Sequence, residues 1–289
     1  MRGRARTSAG EHDCATALQE IARDCLAIIK THHGRAGAAD AEALHQIRVA
    51  ITRLRAAVTF FAPIAVDREW LRLKREIAWL NISLGAARDG DVVAEYARHK
   101  RYRAWAERAL GERFNQHRRQ DGRRLVRSMR SARFRRLIAA MESWIEHGSW
   151  LTRQEGAAPL QAYCARELNR WRRRLIRKGR HLETLGESRR HSLRIKAKRF
   201  RYMLEALTET VAVRRRADFR RFHGPAKRLQ RALGDLRDLK RFAELGLQAT
   251  APGDGQRGKK RPPGYRRRRE KLLNAAVKAH RTLKQAGAC

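Results

Sequence analysis

Acidic residues are scarce: 29 Asp and Glu stand against 68 Lys and Arg in 289 residues, for a formal net charge of +39. A chain so unbalanced repels itself when compact, so an ordinary soluble surface is excluded and a polyanionic partner is implied. Of the basic residues, 55 are Arg. Genomic base composition can inflate Arg and Ala together, but it does not remove acids. Long apolar runs are missing too. The longest, Ala56–Val66 (AAVTFFAPIAV), holds 11 residues and includes Pro63, short of the roughly 20 that a membrane span needs. The opening MRGRARTSAGEHD has no apolar centre, so it is not a secretory signal and the expected location is the cytosol. The four cysteines (Cys14, Cys25, Cys164, Cys289) form no CxxC pair. Cys14 and Cys25, eleven positions apart on one expected helix, would stand about 16 Å apart, too far for a disulfide. They read as small apolar residues.

Proline occurs six times and β-branched runs are rare. Long stretches instead place apolar residues three and four apart, which predicts an all-α fold. Helices are expected near 13–31, 41–62, 67–84, 90–109, 113–147 (broken), 159–181, 189–211, 217–234, 237–248 and 265–286. The Pro/Gly-rich basic stretch Ala251–Gly264 reads as a mobile linker, and residues 1–10 as a basic extension.

The chain also repeats itself. At an offset of 146, His45, Arg48, Arg53 and Arg55 of HQIRVAITRLRAAV fall on His191, Arg194, Arg199 and Arg201 of HSLRIKAKRFRYMLE. LGAARD (Leu84–Asp89) matches LGDLRD (Leu233–Asp238) at an offset of 149. Two ordered matches indicate an internal duplication, hence two four-helix-bundle-like halves (about 11–150 and 157–286) around a pseudo-two-fold axis.

At 100° per residue the charges separate from the apolar stripes. Leu193, Ala197, Phe200, Leu204 and Leu207 share one face, and His191, Arg194, Lys198 and Arg201 the opposite one. In the earlier copy Ile47, Ile51, Leu54 and Val58 oppose His45, Arg48, Thr52 and Arg55. In the helix after the second motif, Phe219, Phe222, Ala226, Leu229 and Leu233 are apolar, with Arg220, Lys227 and Arg231 aligned elsewhere and Arg228 beside them. The equivalent first-half helix offers Lys74 and Arg75. A basic stripe is often only a solvated face, but solvated faces mix signs, because like charges three and four apart cost a few tenths of a kcal/mol each. Uniform cations at those spacings in both copies call for an anion. Arg favours phosphate, whose oxygens its planar fork binds in pairs. The histidines sit near helix starts, after possible caps Asp40 and Ser188.

With these motifs in hand, the sequence resembles the CHAD family, the conserved histidine α-helical domains. The motifs KREIAWLNISLGAARDGDV, FRRLIAAMESWI and KRLQRALGDLRDL join the two His motifs in the family's order, from about Glu11 to Leu283. The resemblance implies a basic groove between two helical halves that binds inorganic polyphosphate, often with recruitment to polyphosphate granules. It carries the family's His and basic positions onto His45, Arg48, Arg53, Arg55, His191, Arg194, Lys198, Arg199 and Arg201. Thr52 stands where the family usually has Arg or Lys, which implies a weaker first half. By helical geometry Arg53 and Arg199 lie at the groove's wall or in a helix–helix salt bridge. Asp89 and Asp238 are expected to cap helices or pair with arginines. Many relatives carry a preceding triphosphate-tunnel domain with an ExExK signature; none occurs here, so a CHAD domain standing alone is expected.

Three other classes compete. Non-specific nucleic-acid backbone binding suits the charge, and RRLVRSMRSARFRR (Arg123–Arg136) could grip phosphates. No zinc-finger spacing, RRM aromatics or zipper heptads occur, however, and the 7% aromatics fall on or near apolar stripes. Catalysis is not expected: no P-loop, HExxH or GxSxG occurs, and the Asp pair of RDGD (Arg88–Asp91) is not repeated in RDLK (Arg237–Lys240). No cofactor or metal is expected. An anionic membrane surface fits poorly, since the basic faces lack large apolar residues to insert.

Overall fold

The computed structural model describes residues 13–36, 40–210, 216–249 and 261–287. Among these residues every regular element is helical, apart from one isolated bridge between Asp13 and Pro159. The helices are α1 (Cys14–Ala36), α2 (Ala41–Phe60), the single turn α3 (Ala62–Ala65), α4 (Arg68–Arg98), α5 (Arg103–Arg130), α6 (Ala132–His147), α7 (Leu160–Lys178), α8 (Glu187–Thr210), α9 (Arg216–Ala249) and α10 (Tyr265–Gln285). Two 3-10 turns, Ser149–Thr152 and Gln154–Ala157, join α6 to α7. Residues 1–12, most of the expected linker (251–260) and Cys289 lie outside the described residues, as does the side chain of Phe219.

Local chemistry starts the early helices. Asp40 accepts from the Ala43 amide (2.9 Å), Asp67 from Trp70 (2.6 Å) and Ser131 from Phe134 (3.1 Å), each satisfying a first-turn donor. Ser188 is not a cap: α8 begins at Glu187, and the Arg190 amide bonds the Gly186 carbonyl instead. Two expected breaks are also absent. The helices expected at 67–84 and 90–109 are one: α4 runs unbroken through Gly85 and Gly90 to Arg98, and the chain turns at 99–102. Gly234 likewise does not divide α9. An interior Gly costs only about 1 kcal/mol relative to Ala. The buried residues flanking the glycines, such as Leu80, Leu84, Val93, Leu229 and Leu239, outweigh that. At Gly90 the missing side chain also allows a close approach, because a Cβ there would lie 3.3 Å from Arg118 Cγ on α5. The break expected within 113–147 is real and falls at Ser131.

Packing follows the apolar stripes. Leu18, Ile21, Cys25 and Ile29 of α1 are buried together with Ile47, Ile51 and Leu54 of α2. α1 packs on α2 and α6, and α4 on α5 and α6. α8 packs on α7 and α9, and α9 on α10. Both sets share one core, since Leu193, Ala197, Phe200 and Leu204 of α8 belong to the same buried cluster as the residues of α1 and α2. The buried thiols of Cys14, Cys25 and Cys164 lie inside it, and burial pushes Cys14 up to about 12, which keeps it unreactive. No helix among the described residues is long and apolar enough to cross a membrane.

The longest apolar run of the sequence forms the joint. Phe60 meets Phe61, Tyr163 and Trp171 edge-on (5.0–5.8 Å), and Tyr163 donates to the Phe60 carbonyl (2.8 Å). Tyr163→Phe should therefore cost about 1–2 kcal/mol, the price of a buried carbonyl losing its donor. Phe60→Ala should cost about 3–5 kcal/mol. Urea denaturation followed by circular dichroism measures both, and an unchanged midpoint for Phe60→Ala would contradict the joint.

Candidate functional site

The two repeated motifs meet where α2 and α8 pack. Lys198 Nζ donates to Thr52 Oγ1 (3.3 Å), the residue 146 positions earlier. The Thr52 hydroxyl in turn donates to the Arg48 carbonyl (2.8 Å), so its proton and a lone pair are both used. Arg48 sits beside its own counterpart, Arg194, and donates to the Leu84 carbonyl of α4. Four helices thus contribute to one cluster: α2 gives Arg48, α4 gives Arg88 and Asp89, α8 gives Arg194, Lys198 and Arg201, and α9 gives Arg237 and Asp238.

The carboxylates are too few to neutralise it. Asp89 reaches across to α9, 3.5 Å from Arg237 and 4.0 Å from Arg241. Asp238 is pushed up by burial and pulled down by Arg194, Arg237 and Arg88. Both aspartates lie mid-helix, so they cap nothing; of the two expected roles, pairing with arginine is the one they fill. Six cations face three carboxylates, Asp89, Asp238 and the Glu205 beside Arg201. The consequence is plainest at Lys198, which burial, then Arg194, Arg48, Arg201 and Arg237, pushes down to about 7. Arg48 and Arg194 are also lowered, first by burial. Tyr202 is buried beneath the cluster, with the Arg201 guanidinium 4.5 Å and Lys198 Nζ 5.4 Å from its ring. Arg201 also lies 3.5 Å from Glu205, which His223 of α9 approaches at 2.8 Å.

His45 and His191 are each the fifth residue of their helix and exposed at the cluster's edges. Both are lowered, by burial first; Arg88, Lys198 and Arg48 add to this at His45, and Arg237 and Arg194 at His191. Beyond His191 a cavity of about 110 Å³ is lined by Arg190, Arg194, Arg237, Lys240 and Arg269, so the start of α10 joins the rim. Beyond Leu44 and Ala87 a wider cavity is walled by Arg118, Arg119, Arg123 and Arg127 of α5.

The structure therefore gathers His45, Arg48, His191, Arg194, Lys198 and Arg201 into one place. It does not gather the other expected residues there. Lys74 and Arg75 are exposed on the first half of α4, beside the Glu76–Arg133 ion pair, and the later residues Arg88 and Asp89 face the cluster instead. Arg220, Lys227, Arg228 and Arg231 lie exposed along α9. Arg53 and Arg55 are half-buried on α2. Among the described residues Arg199 takes part in no salt bridge, and it does not wall the cluster; it lines a pocket against α7, near Arg55. Sequence reasoning missed Arg88 and Arg237. The repeated LGxxRD motif was their signal, but its Asp drew the attention.

An all-helical chain with a shared core and a four-helix basic cluster is a fold that known proteins also have. A family model described as CHAD domain matches residues 20–247, and the chain belongs to that family. Among solved structures it is similar to the crystal structure of the CHAD domain from the plant Ricinus communis, at 23% identity and a TM-score of 0.74, covering 97% of this chain and 96% of that one. It is also similar to PptA from Streptomyces chartreusis, at 15% identity and a TM-score of 0.61, covering 94% and 97%. No curated protein matches it.

The cluster opposes folding as long as it is empty. Lys198 binds its proton more weakly folded than unfolded, so the unfolded chain holds more protons between about pH 7 and pH 10, and stability rises with pH across that window. Lys198→Met keeps the stem and removes the buried charge. It should stabilise the unliganded protein by about 1–3 kcal/mol at pH 7 and flatten the rise above pH 7. Urea melts from pH 6 to 10 would show it; a destabilised Lys198→Met protein with the pH slope intact would contradict the account.

Proposed function

We propose that the chain is a non-catalytic binder of inorganic polyphosphate, held along the face that runs from His45 past Arg48, Lys198 and Arg194 to His191. One observation carries the reading: six cations from four helices converge against three carboxylates, and the ammonium of Lys198 is desolvated among arginines. A chain of phosphates bearing charge at every link offsets that repulsion in a way no single carboxylate ligand does. Guanidinium forks at Arg48, Arg194, Arg201 and Arg237 suit paired phosphate oxygens, while the rim arginines of α5 and α10 give a long ligand room to extend. Membership of the CHAD family points the same way. On this reading the protein works in the cytosol, where binding could recruit it to polyphosphate granules.

The competing reading is grip on an RNA or DNA backbone. Binders of single strands use exposed rings on which bases stack, whereas Tyr202, the ring beneath the cluster, is buried. That favours a base-free chain.

Competition between long polyphosphate and single-stranded RNA, at equal phosphate and about 150 mM salt, tests the choice. Polyphosphate should bind at least tenfold more tightly, and its affinity should fall steeply with salt because neutralised phosphates release counterions. Changing Arg194, Lys198 and Arg201 together to Ala should weaken binding at least tenfold with helicity retained. RNA binding as tight as polyphosphate binding would overturn the reading.

Binding should also take up protons. Phosphates beside Lys198 raise its affinity for a proton from the free value of about 7. Complex formation at pH 8 therefore protonates it, and affinity falls as pH rises from about 7 toward 10. Titration calorimetry in Hepes and in Tris at pH 8 measures this as a difference in apparent enthalpy, absent in Lys198→Met. Equal enthalpies for the wild-type protein would count against Lys198 as a contact.

A further inference from the structure

On the side of α8 turned away from the cluster, a second group of cations surrounds a separate pocket. Arg170, Trp171 and Arg174 of α7, Lys196 and Arg199 of α8 and Thr59 of α2 line it, around a volume of about 110 Å³. Arg55 and Lys178 stand near enough to act on its charges. Arg170 is spoken for, since it lies 2.5 Å from the buried Glu167. Lys196 and Arg199 are not: among the described residues neither has a hydrogen bond or an ion pair.

Their surroundings differ in kind from the central cluster. Around Arg48 and Arg194 the aspartates offset part of the repulsion. Around Lys196 and Arg199 every charge that acts strongly is another cation. Lys196 is lowered by burial, then by Arg199, Lys178 and Arg174; Arg199 by burial, then by Arg55. Half-buried cations three apart on one helix, with no counter-charge, are costly. The spacing puts them elsewhere than the first site, because Lys196 lies 160° around α8 from Lys198.

We infer that the pocket between α7 and α8 is a second oxyanion site, separate from the central cluster, that takes a single phosphate group. With Arg170 taken by Glu167, the lining cations Lys196, Arg199 and Arg174 suit one tetrahedral group rather than a run of them. Lys196 supplies a point charge and Arg199 a fork that grips two oxygens. The group can come from inorganic phosphate or from the end of a phosphate chain. The inference is independent of what the central cluster binds.

The test uses the full chain, the double variant Lys196→Ala/Arg199→Ala and, as the contrast, Arg194→Ala/Lys198→Ala, with circular dichroism confirming that each is helical. Inorganic phosphate is titrated to 50 mM and read by phosphorus NMR line broadening; free-ended and end-capped short polyphosphates are titrated in parallel. If the source is inorganic phosphate, the Lys196/Arg199 variant binds it at least tenfold more weakly, while the Arg194/Lys198 variant binds it as the wild type does. If the source is a chain end, the Lys196/Arg199 variant loses the advantage of free-ended over end-capped chains, again by about tenfold. The inference is overturned if phosphate binding depends on Arg194 and Lys198 alone. It is equally overturned if the wild type neither binds phosphate nor distinguishes the two chain ends.

Discussion

Like charge brought together by apolar burial is the constraint on which this molecule turns. α2 and α8 must lie side by side because their stripes, Ile47–Ile51–Leu54 and Leu193–Ala197–Phe200–Leu204, are buried in the same core. Each such side chain contributes about 1.5–3 kcal/mol when fully buried, while like charges at helical spacing cost only a few tenths each on a wet surface. Burial wins, and Arg48, Arg194 and Lys198 are carried into contact range. The loss of water around Lys198 raises the cost well above the surface figure, which its depressed affinity for a proton reflects.

The rest of the architecture limits that cost without cancelling it. Asp89 enters from α4 and Asp238 from α9, from helices in the two sets that α2 and α8 belong to. Each faces an arginine of the other set: Asp89 pairs with Arg237, and Arg88 acts on Asp238. These crossed contacts hold guanidinium groups at fixed places while leaving most of their charge uncompensated. Buried arginine elsewhere is treated differently. Arg172 on α7 donates to the Leu283 and Lys284 carbonyls at the end of α10 (3.3 and 3.4 Å), where the helix dipole welcomes a cation. The contrast separates arginines that close the fold from those left with charge to spare.

The helical content, the apolar stripes and the core of the basic face were legible in the sequence because each rests on periodicity within one helix. His45, Arg48, His191, Arg194, Lys198 and Arg201 share a place for that reason. What periodicity could not carry was the continuity of α4 and α9. Helix ends expected near Leu84 and Gly234 left Asp89 and Asp238 open to a capping role. With the helices unbroken, the Arg-Asp pair at 88–89 and its counterpart at 237–238 turn inward as wall residues. Lys74 and Arg75 lie apart from the cluster because fourteen residues of intact helix, about 21 Å, separate them from the stretch of α4 that faces it. The place of Arg199 depended on which helix lies against the far side of α8, and no pattern within α8 specifies that neighbour.

The meeting of Lys198 with Thr52 also recasts the departure that marked the first motif as the weaker copy. The two residues occupy positions that the repeat equates, and they face each other at 3.3 Å. Two ammonium groups so placed would repel by about 4 kcal/mol at 4 Å in a surroundings of effective dielectric near 20. A second ammonium at position 52 would therefore have to swing outward from Lys198. A short hydroxyl resolves it: Thr52 leaves room for the longer side chain, accepts a hydrogen bond from it and returns its own proton to the Arg48 carbonyl. Thr52 thus complements Lys198, and this asymmetry between the motifs lets a single ammonium sit between α2 and α8.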